Sequence, residues 1–222
     1  MLSPNLEGAE LSEKIGRASL LRIYEFSCTE PTDINEHVPK LRALAKQCSS
    51  AAELGVSGFA STWGILQGLA ESPLENKSYL GVDLNRPRQN WVELAECISQ
   101  SIGVQYNFLE KNELELEIDP VDLLFIDSIH TYAHLTYELE TFSPKVRKYI
   151  AMHDTSEPFT FSDCSSYRGD RSEYPLFINR EKRGTWVAVW DFLSKHPEWR
   201  LIERHFNSHG FSILKRVDEN KY

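Results

Sequence analysis

An aspartate closes an apolar run in VDLLFIDSIHTY (residues 121–132), and a histidine follows three residues later. Leu123, Leu124, Phe125 and Ile126 read as a buried strand, which places Asp127 at its end with His130 close behind. A carboxylate costs several kcal/mol to bury without partners, so solvent, a hydrogen-bond network or a cation must compensate it. A second run, KYIAMHDT, ends in His153 and Asp154. If the two runs are neighbouring parallel strands, Asp127, His153 and Asp154 converge at one rim. Two carboxylates and an imidazole can hold a divalent cation. Oxygen-only sites suit magnesium, and an imidazole shifts the preference toward manganese, iron or zinc. An imidazole titrating near neutrality also suits His130 to take a proton from a hydroxyl. The plainer readings are that His130 caps a helix or lies on the surface, that HDT is an N-cap signal, and that His134 is a surface residue.

A second group of residues has the makings of a ligand loop. ELGVSGFAST places Gly55 and Gly58 at a strand-to-helix turn, where glycine lets the backbone approach a ligand and the helix N-terminus favours anionic groups. Ser61 or Thr62 is positioned to cap that helix. In YLGVDLN, Asp83 ends the following strand, where a carboxylate can take two ribose hydroxyls.

The elements that must carry these residues alternate. After about 50 residues that look helical, short apolar runs alternate with helical patterns as far as MHD. Trp91, Leu94, Ala95 and Ile98 form one apolar stripe, and Trp186, Val189, Trp190 and Leu193 form another near the end. Such alternation predicts a parallel sheet covered on both faces. The last two runs, RLIERHF and FSILKRV, are separated only by NSHG, so they must pair antiparallel. The expected architecture is an α/β, Rossmann-like, doubly wound and mostly parallel seven-stranded sheet with a C-terminal antiparallel hairpin and N-terminal helices. Residues 1–50 are expected as a helical extension and 51–222 as the sheet domain. Residues 155–184 have no clear period, as in a binding loop or lid, and Phe159, Phe161, Tyr167, Tyr174 and Phe177 could wall a pocket there or anchor the loop.

Composition narrows the partners. A net charge of −9 argues against broad nucleic-acid or anionic-membrane binding. The acidic stretch from Glu110 to Asp119 reads as a solvated face. Cys28, Cys48, Cys97 and Cys164 stand far apart, which fits neither a zinc site nor a disulfide framework and predicts a reduced, cytoplasmic setting. The polar N-terminus lacks the layout of a signal peptide, and no run is long enough for a membrane span.

ELGVSGFAST, GVDLN, LFIDSIHTY and MHDT, in this order and spacing, resemble the class I S-adenosylmethionine-dependent methyltransferases. The likeness is to a subgroup of small O-methyltransferases that includes macrolide-sugar methyltransferases and cephalosporin-hydroxylase-like proteins, and it covers residues of about 50 to 216. The resemblance implies S-adenosylmethionine as cofactor, with Glu53, Gly55, Gly58 and Ser61 in its loop, Asp83 on the ribose and Asn112 near the adenine. It implies a divalent metal on Asp127, His153 and Asp154, with His130 and Asp127 as the catalytic pair. The acceptor would be a hydroxyl of a small molecule or sugar. Two departures stand out: Phe59 where the family commonly has glycine, and His153 where it has an oxygen ligand. They leave two alternatives open, a hydroxylase-like or hydrolytic metal enzyme on the same fold, and a non-catalytic binding module. Self-association as a homo-oligomer is also open.

Overall fold

The computed structural model describes residues 4–87, 89–166 and 174–217. Tyr167 therefore lies outside the described residues. Seven strands form one mostly parallel sheet in the order β3-β2-β1-β4-β5-β7-β6, as the alternating pattern predicts. The chain divides into two compact units, one ending at Glu110 and the other starting at Lys111.

The first unit holds β1 (Ser50–Leu54), β2 (Lys77–Asp83) and β3 (Val104–Glu110), with helices α1 (Pro4–Thr29), α2 (Val38–Ala45), α3 (Ala60–Glu71) and α4 (Gln89–Ser101). The three strands pair in parallel. Every residue of β1 is buried, as expected of a strand covered on both faces. Helix α2 packs on α3, and α1 packs on α3 and α4. A Cβ on Gly68 of α3 would lie 2.4 Å from the carbonyl oxygen of Arg42, so only glycine lets α2 come this close. In α4 the buried stripe is Val92, Ala95 and Ile98; Leu94 is 38% exposed, which corrects the expected stripe by about a quarter-turn.

The second unit holds β4 (Val121–Ile126), β5 (Val146–His153), β6 (Trp199–His205) and β7 (Phe211–Arg216), with α5 (Tyr132–Phe142) and α6 (Thr185–Lys195). β4 and β5 pair in parallel, whereas β7 runs antiparallel to both β5 and β6. Helix α6 buries Thr185, Ala188, Val189 and Phe192. Trp190 is 65% exposed, so the two-tryptophan face expected from sequence is not the inward one. Trp186 instead lies under the Arg204 guanidinium, 3.3 Å from its ring centre, a cation–π contact that accounts for an aromatic at the helix edge. Among the described residues no helix is long and apolar enough to cross a membrane.

Candidate active site

In the first unit the chain leaves β1 through Gly55 (φ 83°), Ser57 (φ 36°) and Phe59 (φ 66°), all left-handed. The amides of Val56 and Ser57 both donate to Oδ2 of Asp83 at 3.0 Å, and Asn85 N donates to Oδ1 at 2.9 Å. The carboxylate that ends β2 thus clamps the loop that follows β1. Phe59 adopts a backbone that glycine takes freely and a bulky residue rarely does. Its side chain is fully buried against Trp63 and Trp91, with ring centres 5.7 and 6.4 Å away. Aromatic packing therefore holds this strained position.

Glu53, also fully buried, faces a cage of hydroxyls. Ser61 Oγ and Tyr79 OH donate to its two oxygens, and Thr62 Oγ1 adds a third bond at 2.8 Å. Neither Ser61 nor Thr62 caps α3: the N-cap is Phe59, which has no side-chain cap. The expected cap is absent because both hydroxyls point at Glu53, a stronger, charged acceptor. Beside this carboxylate, burial raises the Tyr79 phenol well above its usual range.

In the second unit, the parallel register of β4 and β5 sets Ile126 beside Met152. Asp127 and the His153–Asp154 pair therefore emerge together, as predicted. His130 Nε2 lies 3.4 Å from Asp127 Oδ1 and 2.9 Å from Asp154 Oδ2. His153 Nδ1 lies 3.4 Å from Asp127 Oδ1 and 3.3 Å from Asp154 Oδ2. Its Nε2 donates to the Ser208 carbonyl at 2.8 Å, and since a carbonyl only accepts, this nitrogen carries the proton and Nδ1 faces the carboxylates. Burial alone would pull His130 down, but Asp127 and Asp154 outweigh it and push the imidazole up to about 10. The same balance takes His153 up to about 11. Both carboxyls are held below their ordinary range, because the imidazoles overcome the burial cost.

Asp154 is 1% exposed, and among the described residues neither of its oxygens has an aligned hydrogen bond. One atom from each of Asp127, His153 and Asp154 lies within 4.8 Å of the other two. A buried carboxylate faced by imidazoles without an aligned hydrogen bond among the described residues, an imidazole fixed through its far nitrogen and a second carboxylate make a donor set that fits a divalent cation. His130 does not cap α5; Thr131 does, accepting from His134 N at 3.2 Å. Nor is HDT a helix start, since β5 is followed by turns.

The long loop holds His130 from outside. Tyr132 N and Gly184 N both donate to Asp163 Oδ1, at 2.8 and 2.9 Å, and Cys164 N donates to the His130 carbonyl at 2.8 Å. Phe159 packs on the His130 ring at 5.1 Å, whereas Phe161 and Phe177 are exposed. Tyr174 is buried and works as an anchor, with its hydroxyl 3.0 Å from His134 Nδ1.

That contact belongs to a cluster the sequence did not reveal. His134, expected at the surface, is 2% exposed, and its Nε2 lies 2.6 Å from Glu113 Oε2. Glu113 is a buried acid within the stretch read as a solvated face, and Glu138 completes the group with Ser128 Oγ donating to it at 2.6 Å. Burial beside Glu113 pushes the Glu138 carboxyl far up. The missed signal was the spacing of His134 and Glu138, i and i+4 on one helix face. Asn112 caps the adjoining 3₁₀ turn, accepting from Leu114 N at 3.0 Å. His209 also went unnoticed inside NSHG; its Nδ1 lies 3.4 Å from Asp154 Oδ1.

No family model matches the chain, and neither does any curated protein. Solved structures do match across nearly the whole length. A structural-genomics protein from Corynebacterium glutamicum is 17% identical over 92% of each chain, with a TM-score of 0.61. The O-methyltransferase from Bacillus cereus in complex with S-adenosylhomocysteine (SAH) is 14% identical over 91% of this chain and 90% of its own, with a TM-score of 0.54. The SAH-bound Podospora anserina methyltransferase PaMTH1 is 14% identical over 98% and 99%, at 0.52. By its seven-stranded sheet and these neighbours, the chain has the Rossmann-like fold of the class I S-adenosylmethionine-dependent methyltransferases.

Proposed function

We propose that this chain is an S-adenosylmethionine-dependent methyltransferase acting on a hydroxyl of a small molecule or sugar, with a divalent metal at Asp127, His153 and Asp154. The observation that carries the reading is the gathering of these three residues with His130 at the ends of β4 and β5, on a fold whose neighbours hold SAH. Fold alone does not fix chemistry; the residues of the site do.

In this reading Gly55, Gly58 and Asp83 meet the cofactor, Asp83 through the ribose and the loop through its backbone. Glu53 and Ser61 act indirectly, by fixing the start of α3 under the loop. Asn112 stands near the adenine. When bound, S-adenosylmethionine supplies an electrophilic methyl group and the metal lowers the pKa of a hydroxyl. His130 orients the acceptor hydroxyl and receives its proton, which requires its flanking carboxylates to be engaged elsewhere. Phe159 walls the imidazole and keeps water from that face.

Calorimetry with S-adenosylmethionine and SAH tests the cofactor assignment; heat at micromolar to millimolar ligand supports it, and silence from both at millimolar overturns it. Elemental analysis of the purified chain tests the metal. The imidazole ligand favours one further reading, a redox or hydrolytic metal enzyme on this fold. Bound iron or zinc with no affinity for SAH would point there.

A further inference from the structure

Asp154 meets a third imidazole at its other oxygen, that of His209. The turn between β6 and β7 holds three consecutive residues in the left-handed region, Ser208 (φ 47°), His209 (φ 60°) and Gly210 (φ 95°). Asp154 itself shares that conformation (φ 54°). Each such non-glycine residue is strained and persists only where its surroundings over-determine it.

Here they do. His153 Nε2 donates to the Ser208 carbonyl at 2.8 Å, and Ser156 N donates to the His209 carbonyl at 2.7 Å. A Cβ on Gly210 would lie 2.5 Å from Ser156 N, so only glycine fits. Antiparallel pairing of His153 with Phe211 brings the turn beside Asp154. The result is a carboxylate faced by imidazoles on both oxygens: His130 Nε2 at 2.9 Å and His153 Nδ1 at 3.3 Å from Oδ2, and His209 Nδ1 at 3.4 Å from Oδ1. Phe159 packs against both rings, at 5.1 and 5.7 Å. His209 is 46% exposed on its side chain, so a small swing of its ring closes the contact into a hydrogen bond.

We propose that His209 is a positioning residue: its Nδ1–H holds Oδ1 of Asp154, so that Oδ2 is presented with Asp127 and His153 to a divalent cation. The inference rests on the metal reading above. His209 is not one of the three residues whose ligand atoms cluster within 4.8 Å, so it acts through Asp154 and not as a ligand. Outer hydrogen-bond partners of this kind change metal affinity by about 10- to 100-fold.

The test is Mn²⁺ titration of the full-length protein by calorimetry, with thermal melting in parallel, on wild type, His209→Asn and His209→Gly. Asparagine and glycine both accept a left-handed backbone, but only asparagine places an N–H donor where Nδ1 stands. The expected result is near-wild-type affinity for His209→Asn and a loss of about 10- to 100-fold for His209→Gly, with metal-free melting unchanged. Equal affinity in wild type and His209→Gly overturns the role of His209, as does a His209→Asn protein as weak as His209→Gly. A wild type that takes up no Mn²⁺ overturns the metal reading itself and this inference with it, and that outcome is distinct from the first two.

Discussion

Glu53 and Asp154 are both carboxylates at or just beyond the C-terminal end of a β-strand, and they are 0% and 1% exposed. Their surroundings are opposite. Glu53 receives hydroxyls from Ser61, Thr62 and Tyr79, drawn from a helix and a neighbouring strand. Among the described residues Asp154 receives no aligned hydrogen bond; it sits on a strained backbone and is ringed by His130, His153 and His209. Neutral hydroxyl donors satisfy a charge and leave nothing for a ligand. Imidazoles at 2.9–3.4 Å balance the charge yet can yield to a cation. The first arrangement closes on itself; the second is the one on which the proposed metal site rests.

The contrast breaks first at Asp154. Asp154→Asn keeps the shape and tolerates the left-handed backbone, so metal uptake and methyl transfer should fall by about 1,000-fold, or about 4 kcal/mol. Metal-free melting near neutral pH should fall modestly, by the share of the imidazole–carboxylate contacts that Asp154 supplies, and a collapse of the fold would show that Asp154 is structural after all.

Glu53→Ala should do the reverse. It strands three hydroxyl donors and opens a small cavity, for a loss of about 3 kcal/mol. For a chain of this size that corresponds to a melting point lowered by about 6–12 °C. Metal affinity of the protein that remains folded should be unaltered, and a parallel drop in Mn²⁺ binding would erase the distinction.

A milder cut is Thr62→Val, which removes one donor of the cage and should cost about 1 kcal/mol in urea unfolding. No change there would mean that Ser61 and Tyr79 suffice.

The gentlest probe is pH, in chelator-treated protein. His130 and His153 are raised in the folded chain, to about 10 and about 11, above the unfolded imidazole. The stability they contribute is full below the unfolded value, about 6.5, and is lost as pH rises through 10 to 11. Unfolding free energy should therefore decline from neutrality upward. Asp154→Asn should flatten that slope and Thr62→Val should leave it, and an unchanged slope in Asp154→Asn would remove the carboxylate as its cause.

Much of this was legible in the chain. The alternation of short apolar runs with helical patterns set the seven-stranded order of elements, and NSHG required an antiparallel finish, because a four-residue link cannot make a crossover. The convergence of Asp127 with His153 and Asp154 followed from two strand ends in one parallel pair. The inward faces of α4 and α6 were less legible, since a tryptophan counts as apolar whether it fills a core or shields an arginine, as Trp186 does.

Sequence by itself determined which groups could do chemistry and which strand ends would carry them, because strand period and connection length are local properties. Only the tertiary structure decided which acids are satisfied. Glu53 gains its three hydroxyl partners only in the fold, and Glu113 looked solvated until His134 met it in the interior. His209 looked like part of a turn until antiparallel register folded it against Asp154. Burial and partner geometry depend on residues distant in the chain, so no local pattern can report whether a carboxylate is satisfied or orphaned.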